Sequence, residues 1–307
     1  MPHKEYETMK FLRRAFPLLS AVRLAVGLLA AQPVSARQYT TIDVPGSINT
    51  VASGINSQGD IVGTFGDSAG HGHGYLLHNG AFTTIDFPGS FSTEANGINS
   101  QGDIVGRYFD SSFNTHGFLL RKGVFTTVDI PGFPFLFVNA VSGINEQGDM
   151  VIDGGLLRGG VFTTIMLPDS IQTAPGVTRI AQGKGINAQG DIVGSYSVFL
   201  NTNGLELSRG AFNSIIPPPG FALDATLISA DGINGSGDIV GWVLDGIGQH
   251  GQGFLLSGGM FRSIDVPGAS ETIGVPAGTL AHGINSRRDI VGEYSDGLGH
   301  HHGFVSR

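Results

Sequence analysis

Short apolar runs, four to six residues long and separated by turn residues, recur along the chain from residue 38 onward. The stretch between Thr50 and Asp86 contains four of them: "TVASGIN", "DIVGTF", "HGYLL" and "AFTTID". Alternating or continuous apolar runs of this length predict β-strands. Within "INSQGD", Asn56 is predicted to begin a turn, and Gly59 to take the left-handed backbone conformation that a hairpin needs. The stretch is therefore expected to form one four-stranded antiparallel unit.

This pattern returns at a nearly fixed distance. The tripeptide Gly-Ile-Asn recurs at steps of 43, 46, 42, 47 and 51 residues, and "GDIVG" or a variant of it follows each copy. The six copies begin at Gly54, Gly97, Gly143, Gly185, Gly232 and Gly283. A period of about 40 to 50 residues is typical of one propeller blade. The 49 Gly, the 14 Pro and the low charged fraction of 14% agree with many short strands and turns.

The two ends of the repeat complement each other. The last copy stops after its third strand, at "HHHGFVSR", whereas "QYTTIDVPG" precedes the first Gly-Ile-Asn. The fourth strands of the six units are predicted to begin at Tyr39, Phe82, Phe125, Phe162, Phe212 and Phe261. The predicted fold is thus an all-β, six-bladed β-propeller with four strands per blade, closed by residues 38–43 as the missing strand of the last blade.

Residues 1–36 lie outside the repeat. The basic segment "KFLRRAF" precedes the apolar stretch "LAVGLLAA" and the small-residue end "VSA", which is the order of regions in an export signal. We expect this signal peptide to be removed, which leaves a single domain of residues 37–307 in a secreted or periplasmic protein. The pair Arg13-Arg14 leaves the twin-arginine route open beside the general one. Arg23 and Pro33 interrupt the apolar stretch too early for a spanning helix, so no stable membrane insertion is expected.

Charge and composition exclude several classes of function. The net charge is −8, and the predicted signal carries more basic than acidic residues, which argues against nucleic acid or an anionic membrane as partner. Cysteine is absent, which excludes thiolate zinc sites and cysteine nucleophiles. The sequence has no P-loop or dinucleotide fingerprint, so no nucleotide or nicotinamide cofactor is expected. "GDSAG" at Gly66–Gly70 matches a serine-hydrolase string, but no helix is predicted after it.

Three copies carry a second signature. The segments "HGYLL" at His73, "HGFLL" at His116 and "HGFV" at His302, each beside a Gly-Ile-Asn block, resemble the bacterial extracellular HAF repeat, named for a His-Ala-Phe triplet. Gly replaces Ala in each of these copies, and the third, fourth and fifth copies lack the His. The resemblance covers residues 38–307. It implies secretion and repetition but no established activity, so function must be argued from the site.

Asp and His recur six residues apart in the loops between the second and third strands. The pairs are Asp67…His73, Asp110…His116, Asp245…His250 and Asp296…His302. Such pairs can bind metal or form a pH-sensitive surface. Because they recur from blade to blade around the periphery, and because Asp often begins a turn, we expect structural turns.

One position changes chemistry from copy to copy. The residue before Gly-Ile-Asn is Ser53, Asn96, Ser142, Lys184, Asp231 or His282. Each is expected near the start of the innermost strand of its blade, so that all six surround the mouth of a central channel, where propeller ligands bind. The alternative is that they cap strand ends and hydrate a water-filled tunnel.

These residue types offer three kinds of chemistry. Asp231, Asn96 and Glu94 supply the hard oxygen ligands that Ca²⁺ prefers. His282 is a candidate general base. Lys184 is a candidate to hold an anionic group or to be tuned by Asp231. Calcium is therefore the one cofactor that the sequence suggests.

An apolar segment is expected beside the same channel. "GFPFLFV" places Phe133, Phe135 and Phe137 in a crossing between blades. Phenylalanines at a period of two can form an additional strand packed on the core. Alternatively, they line the site and accept an acyl chain or another apolar substituent.

Two classes of function remain after these exclusions, together with a purely structural role. The first is a secreted, monomeric binding protein that holds a small molecule, a polymer or an extracellular protein at the loop-rich face and the channel. The second is a hydrolase of lactones or esters, by architectural analogy with six-bladed calcium-dependent lactonases, in which a metal polarises the carbonyl and His282 or a carboxylate activates water. The ligand motifs of those lactonases are not recognisable in this sequence.

Overall fold

Every regular element of the described chain is a β-strand. The computed structural model describes residues 37–130, 139–152, 154–169, 171, 180–198, 201–219, 221, 227–244, 250–270 and 277–307. These residues contain 24 strands, and the predicted all-β class is confirmed. No helix among them has the length and apolar character needed to cross a bilayer. The predicted signal segment lies outside the described residues.

Strand β1 (Tyr39–Ile42) precedes the first full copy of the repeat. The first three copies supply β2 (Asn49–Ile55), β3 (Ile61–Gly66), β4 (Gly72–His78), β5 (Ala81–Ile85), β6 (Ser92–Ile98), β7 (Ile104–Phe109), β8 (Thr115–Arg121), β9 (Val124–Val128), β10 (Val141–Ile144), β11 (Met150–Ile152), β12 (Gly155–Arg158) and β13 (Val161–Thr164). The last three supply β14 (Gln182–Ile186), β15 (Ile192–Val198), β16 (Asn201–Ser208), β17 (Ala211–Ile215), β18 (Leu227–Ile233), β19 (Ile239–Leu244), β20 (His250–Ser257), β21 (Met260–Ile264), β22 (Ala277–Ile284), β23 (Ile290–Ser295) and β24 (His301–Ser306).

Within each copy the strands pair antiparallel in chain order. The first three copies form separate four-stranded sheets, whereas short parallel contacts join the last three copies into one twelve-stranded network. The last copy contributes only three strands, and β1 pairs antiparallel with β24, with Tyr39 opposite Ser306 and Ile42 opposite Gly303. Gln38 and Arg307 exchange backbone hydrogen bonds of 3.1 and 3.0 Å. The two ends of the described chain therefore lie side by side.

The hairpins between the third and fourth strands set the start of the fourth strand. Asn79 and Gly80 both have positive φ, 49° and 80°, which is the geometry of a two-residue type I′ turn. Strand β5 therefore begins at Ala81, one residue before the predicted Phe82. The same one-residue difference occurs in β9, β13, β17 and β21.

The Asn of Gly-Ile-Asn organises the turn that follows the first strand. Asn56 Oδ1 accepts hydrogen bonds from the backbone N–H groups of Gln58, Gly59 and Asp60 at 3.0, 3.0 and 2.9 Å. Gly59 has φ +94°, so the left-handed conformation predicted there is confirmed. An Asn at the same place in every copy makes equivalent bonds.

The same six Asn side chains also connect the copies. Each donates from Nδ2 to the backbone carbonyl of the corresponding Asn in the next copy, at 3.2 to 3.3 Å. The donors, in order, are Asn56, Asn99, Asn145, Asn187, Asn234 and Asn285. Asn285 donates back to Asn56, so the series of hydrogen bonds returns to its first member.

The core lies between neighbouring sheets. Ile85 of the first copy packs with Ile98 and Phe118 of the second. In the same way, Val291 of the sixth copy packs with Tyr75 of the first. Because each sheet buries apolar side chains against the next, one four-stranded unit cannot complete its own core.

Candidate functional site

The residue before each Gly-Ile-Asn is the extra, unpaired residue of a β-bulge. In the first copy Ala52 lies opposite Gly63 and Gly54 lies opposite Val62, so Ser53 has no opposite residue on β3. The same irregularity occurs between the first two strands of every copy. The six bulged residues are Ser53, Asn96, Ser142, Lys184, Asp231 and His282. A bulge inserts one extra residue and re-aims its side chain, and bulges are frequent beside active sites.

All six bulged side chains line one cavity of about 540 Å³. Two further sets of residues complete its wall: the residue two positions before the bulge, and the residue that follows "GDIVG" on the second strand. These other lining residues are Val51, Glu94, Ala140, Gln182, Leu280, Arg107, Trp242 and Glu293. The structure therefore brings together the six positions that the sequence identified as variable and polar.

The expected position of these residues near the starts of their strands is wrong for the longer strands. Ser53 is the third residue from the end of β2, and Asp231 is the third from the end of β18. These two strands begin at Asn49 and Leu227. Every bulge is the third residue from the end of its strand, so its distance from the start depends on strand length. Lys184 is the middle residue of β14, and Ser142, the second residue of β10, lies near the start as expected.

The polar centre of the cavity is a hydrogen-bonded chain of charged groups. His282 Nδ1 lies 2.9 Å from Asp231 Oδ2, and His282 Nε2 lies 3.4 Å from Glu293 Oε1. Trp242 Nε1 donates to Asp231 Oδ2 at 2.9 Å, and Ser229 Oγ donates to Asp231 Oδ1. The side chains of His282 and Asp231 are only 18% and 13% exposed, so water screens the pair weakly.

This arrangement fixes the charge of His282. Burial by itself would lower the pKa of His282, but its hydrogen bonds to Asp231 and Glu293, together with their charges, raise that pKa to about 9. Burial opposes ionisation of Glu293 as well, yet His282 and His301 lower the pKa of Glu293 to about 2. The pKa of Asp231 is likewise lowered despite burial, chiefly by its hydrogen bond to His282. At neutral pH the centre is an imidazolium held between two carboxylates.

In this structure His282 lacks the protonation state and the free nitrogen that the predicted role of general base requires. A base must be unprotonated and must have a free nitrogen within reach of the proton it abstracts. Both nitrogens of His282 face carboxylates, and the raised pKa keeps both protonated at pH 7. His282 therefore acts here as a donor that orients Asp231 and Glu293.

A second charge pair lies on the wall formed by the second copy. Arg107 donates from Nε and Nη2 to the two carboxylate oxygens of Glu94, at 2.8 and 2.9 Å. The Arg107 guanidinium also lies 5.3 Å from the ring centre of Phe109. Asn96 donates from Nδ2 to the carbonyl oxygen of Val141 at 3.1 Å. These contacts hold Glu94 and Asn96 in defined positions and occupy much of their hydrogen-bonding capacity.

The residues suggested as calcium ligands do not fit such a site. Both oxygens of Glu94 accept from Arg107, and both oxygens of Asp231 accept from Trp242, Ser229 or His282. Calcium needs six to eight oxygen ligands that are free to turn toward it. Over the described part of the chain, no three Asp, Glu or His side chains are grouped so that they can hold a metal ion.

Lys184 differs from the other charged residues of the cavity. Arg107 and His282 are each within hydrogen-bonding distance of a carboxylate. Among the residues that the structure describes, none accepts a hydrogen bond from the Lys184 ammonium, although its charge contributes to the lowered pKa of Asp231. Its ammonium is therefore available to a ligand in the cavity.

The loop pairs of Asp and His form clamps at the periphery, apart from the cavity. Asp67 begins a turn in which its Oδ1 accepts from the backbone N–H groups of Ala69 and His71 at 2.9 and 2.8 Å. Its Oδ2 lies 3.3 Å from His73 Nε2, while His73 Nδ1 lies 3.0 Å from Asp86. His116 and His302 each lie between two carboxylates in the same way. Asp245 lies outside the described residues.

Some predicted site residues cannot be placed, and others were missed. Phe133, Phe135 and Phe137 lie outside the described residues. Arg107, Trp242 and Glu293 were not predicted as cavity residues, and all three follow "GDIVG" or its sixth-copy equivalent. The signal was present, because the corresponding residues in the first and fourth copies are Thr64 and Ser195, so this position also varies in chemistry.

No protein-family model matches this chain, and no curated protein matches it. A fucose lectin of Aleuria aurantia, solved with alpha-methyl-L-fucoside, shares 10% identity, covers 87% of this chain and 93% of its own, and superposes with a TM-score of 0.49. A gluconolactonase from Xanthomonas campestris shares 11% identity at coverages of 88% and 89%, with a TM-score of 0.45. The β-propeller domain of a Pyrococcus furiosus protease shares 10% identity at coverages of 84% and 97%, with a TM-score of 0.42. Similarities this distant assign no function.

Proposed function

We propose that residues 37–307 form a six-bladed β-propeller and that the protein is exported and binds a small hydroxylated anion in its central cavity. Two features support the blade count. The Asn side chains link six copies in a series that returns to its first member. In addition, a Cβ on Gly283 of the sixth copy would lie only 3.2 Å from the carbonyl oxygen of Ser53 in the first. Strand β1 completes the last blade by pairing with β24.

The observation that carries the proposed function is the convergence of six unlike bulged side chains on one cavity. A residue that serves only the repeated fold has no reason to be Ser in one copy and Lys, Asp or His in others. The hydroxyls of Ser53 and Ser142 and the amide oxygen of Asn96 offer hydrogen bonds to ligand hydroxyls. Among the described cations that line the cavity, Lys184 is the one that is not hydrogen-bonded to a carboxylate, which favours a ligand with one anionic group.

The geometry does not favour the hydrolase alternative. Lactone or ester hydrolysis needs a group that takes a proton from water and a group that polarises the carbonyl. His282 is protonated and bonded on both sides, and the carboxylates of Asp231 and Glu94 already accept hydrogen bonds from protein side chains. These residues are arranged to hold fixed charges around a bound molecule.

A titration with sugar acids tests the proposed site. D-gluconate and D-galacturonate, which combine a carboxylate with hydroxyls, should bind by calorimetry, whereas D-glucose should bind far more weakly. Trp242 is the only tryptophan and lines the cavity, so its fluorescence should change on binding. Lys184→Gln should weaken the binding of the acids about ten-fold or more, because it removes a charge-assisted hydrogen bond.

Arg262→Gln is the matched control, because it removes one positive charge from an exposed position on the outer strand β21. It should leave the affinity for both acids unchanged. Binding by Lys184→Gln that equals the wild-type protein, or no binding of either acid, would contradict the proposal. Turnover of lactones or aryl esters that disappears in His282→Ala would instead support the hydrolase.

A further inference from the structure

Two exposed phenylalanine rings and a half-buried histidine ring lie side by side outside the cavity. The ring centre of Phe91 lies 4.9 Å from that of Phe113 and 5.1 Å from that of His71, both in edge-to-face geometry. Phe113 is 66% exposed and Phe91 is 43% exposed. We call these three residues the aromatic row. Large apolar rings exposed next to one another are unusual on a soluble protein unless they bind something.

Phe113 occupies a backbone position that other copies give to glycine. It ends the Asp110 turn with φ +61°, and its N–H donates to the Asp110 carbonyl at 3.0 Å. Gly70 and Gly299 make the same bond in the first and sixth copies, with φ +87° and +84°. A left-handed conformation is unfavourable for a bulky residue, and glycine makes the same turn without that penalty. The turn itself therefore does not require Phe113.

The two carboxylates beside the row already accept hydrogen bonds from neighbouring protein groups. Asp110 accepts hydrogen bonds from the backbone of Ser112 and from the backbone and side chain of Asn114. Asp67, at the other end of the row, is satisfied by its own turn and by His71 and His73. What remains accessible is a set of neutral groups beside the rings, namely the exposed Ser111, Ser112 and Asn114.

The row adjoins the wall of the cavity. Phe91 donates its backbone N–H to the carbonyl oxygen of Phe109 at 2.8 Å. The Phe109 ring in turn lies under the guanidinium of Arg107, which lines the cavity. A ligand on the row would thus lie near the cavity without occupying it.

We propose that His71, Phe91 and Phe113 form a second binding site, which takes a neutral polysaccharide. A sugar ring has an apolar C–H face that stacks on an aromatic ring, and hydroxyls at its edge that pair with Ser and Asn side chains. No unpaired cation lies among these residues to attract an anionic polymer. The proposal does not depend on what the central cavity binds.

The test uses three neutral probes: cellohexaose, xylohexaose and mannohexaose. At least one should bind by calorimetry, and Phe113→Gly should weaken that binding by about five-fold or more, as expected for the loss of one stacked ring. Because Phe113→Gly restores the residue that two other copies carry, its melting temperature should equal or exceed that of the wild-type protein. Met260→Ala, which removes an exposed apolar side chain from the outer strand β21, is the control and should bind normally.

Trp242 fluorescence separates this site from the cavity. Glycan binding at the row should leave the fluorescence unchanged, whereas a cavity ligand should alter it. The proposal is overturned if none of the three probes binds, or if Phe113→Gly binds as well as wild type. It is also overturned if the glycan alters Trp242 fluorescence and is displaced by gluconate. Decalysine is the cationic comparison: if decalysine binds, loses that binding in Phe113→Gly, and the glycans do not bind, the row takes a cationic partner and the proposal is overturned.

Discussion

At the scale of single residues, His282 neutralises part of the acidic charge of the cavity. It bridges Asp231 on one side and Glu293 on the other, and these three residues belong to the fifth and sixth copies. If the imidazole were neutral, it could donate to only one of the two carboxylates. The other carboxylate would then be a nearly buried charge without its partner, which is costly.

The raised pKa of His282 predicts that stability falls as the pH rises. A group whose pKa is raised on folding contributes stability that is fully present below its unfolded pKa of 6.5 and is lost as the pH passes its folded value of about 9. Between pH 6.5 and 9.5 we therefore expect the free energy of unfolding to fall by roughly 1 to 3 kcal/mol. Urea denaturation across this range measures it.

His282→Gln should reduce this pH dependence. The slope should not vanish, because the pKa values of His73, His116 and His301 are also raised by neighbouring carboxylates. Met260→Ala, which changes an exposed side chain of β21 and removes no ionisable group, should keep the wild-type slope. Equal slopes for wild type and His282→Gln would show that the folded protein does not hold His282 protonated.

At the scale of the strand pair, the bulge that aims each side chain into the cavity also demands a glycine on the second strand. A Cβ on Gly106 would lie 1.9 Å from the carbonyl oxygen of Glu94. Gly63, Gly194, Gly241 and Gly292 face the first strands of their own copies at 1.9 to 2.0 Å. The last Gly of "GDIVG" is thus explained by this close approach, and it is part of the scaffold.

Gly106→Ala should destabilise the protein by about 3 kcal/mol, because the backbone of two paired strands must separate to admit the methyl group. Chemical denaturation at constant pH measures the change. Gly297→Ala is the matched control, because a Cβ there meets no atom within 4 Å and the residue does not have positive φ. A similar loss of stability in both variants would mean that the close approach in β6 and β7 is not what the glycine serves.

The sequence predicts these elements well because strand period and turn chemistry are local. Asn56 and Gly59 identify their turn within five residues, and comparison of the copies finds the variable position at the bulge. The bulge itself is not predictable, because it is a property of the register between two strands. The sequence also does not predict which charged residues pair with one another. Glu293 and Arg107 stand on second strands, and their pairing with His282 and Glu94 depends on how the strands align in space.

At the scale of the whole molecule, the proposed closure makes the six units equivalent around the ring. In the sixth unit the third strand, β24, and the fourth strand, β1, are not consecutive in sequence, although they pair with each other. In the fifth unit the same place is the tight turn at Gly258 and Gly259, both with positive φ and with no atom near a Cβ. If the ring is closed, an interruption at either place should be tolerated alike.

A circular permutant tests this equivalence. It begins at Gly259, joins Arg307 to Arg37 through a linker of about four residues, and ends at Gly258. Because Gln38 and Arg307 are already hydrogen-bonded, the linker spans almost no distance. We expect a melting temperature within about 5 °C of the unpermuted protein, because new ends in exposed turns cost little. The cavity residues should also give the same Trp242 fluorescence.

The matched control places the new ends between Ala230 and Asp231, inside the buried strand β18, and should not fold because it cuts a central hydrogen-bonded ladder. An open stack of six units gives a different result for the first permutant. There the outermost units would have only one neighbour each, and joining the two ends would force distant sheets together. Failure of the Gly258/Gly259 permutant would therefore argue that the six units do not close into a ring, and the shared cavity would lose its structural basis.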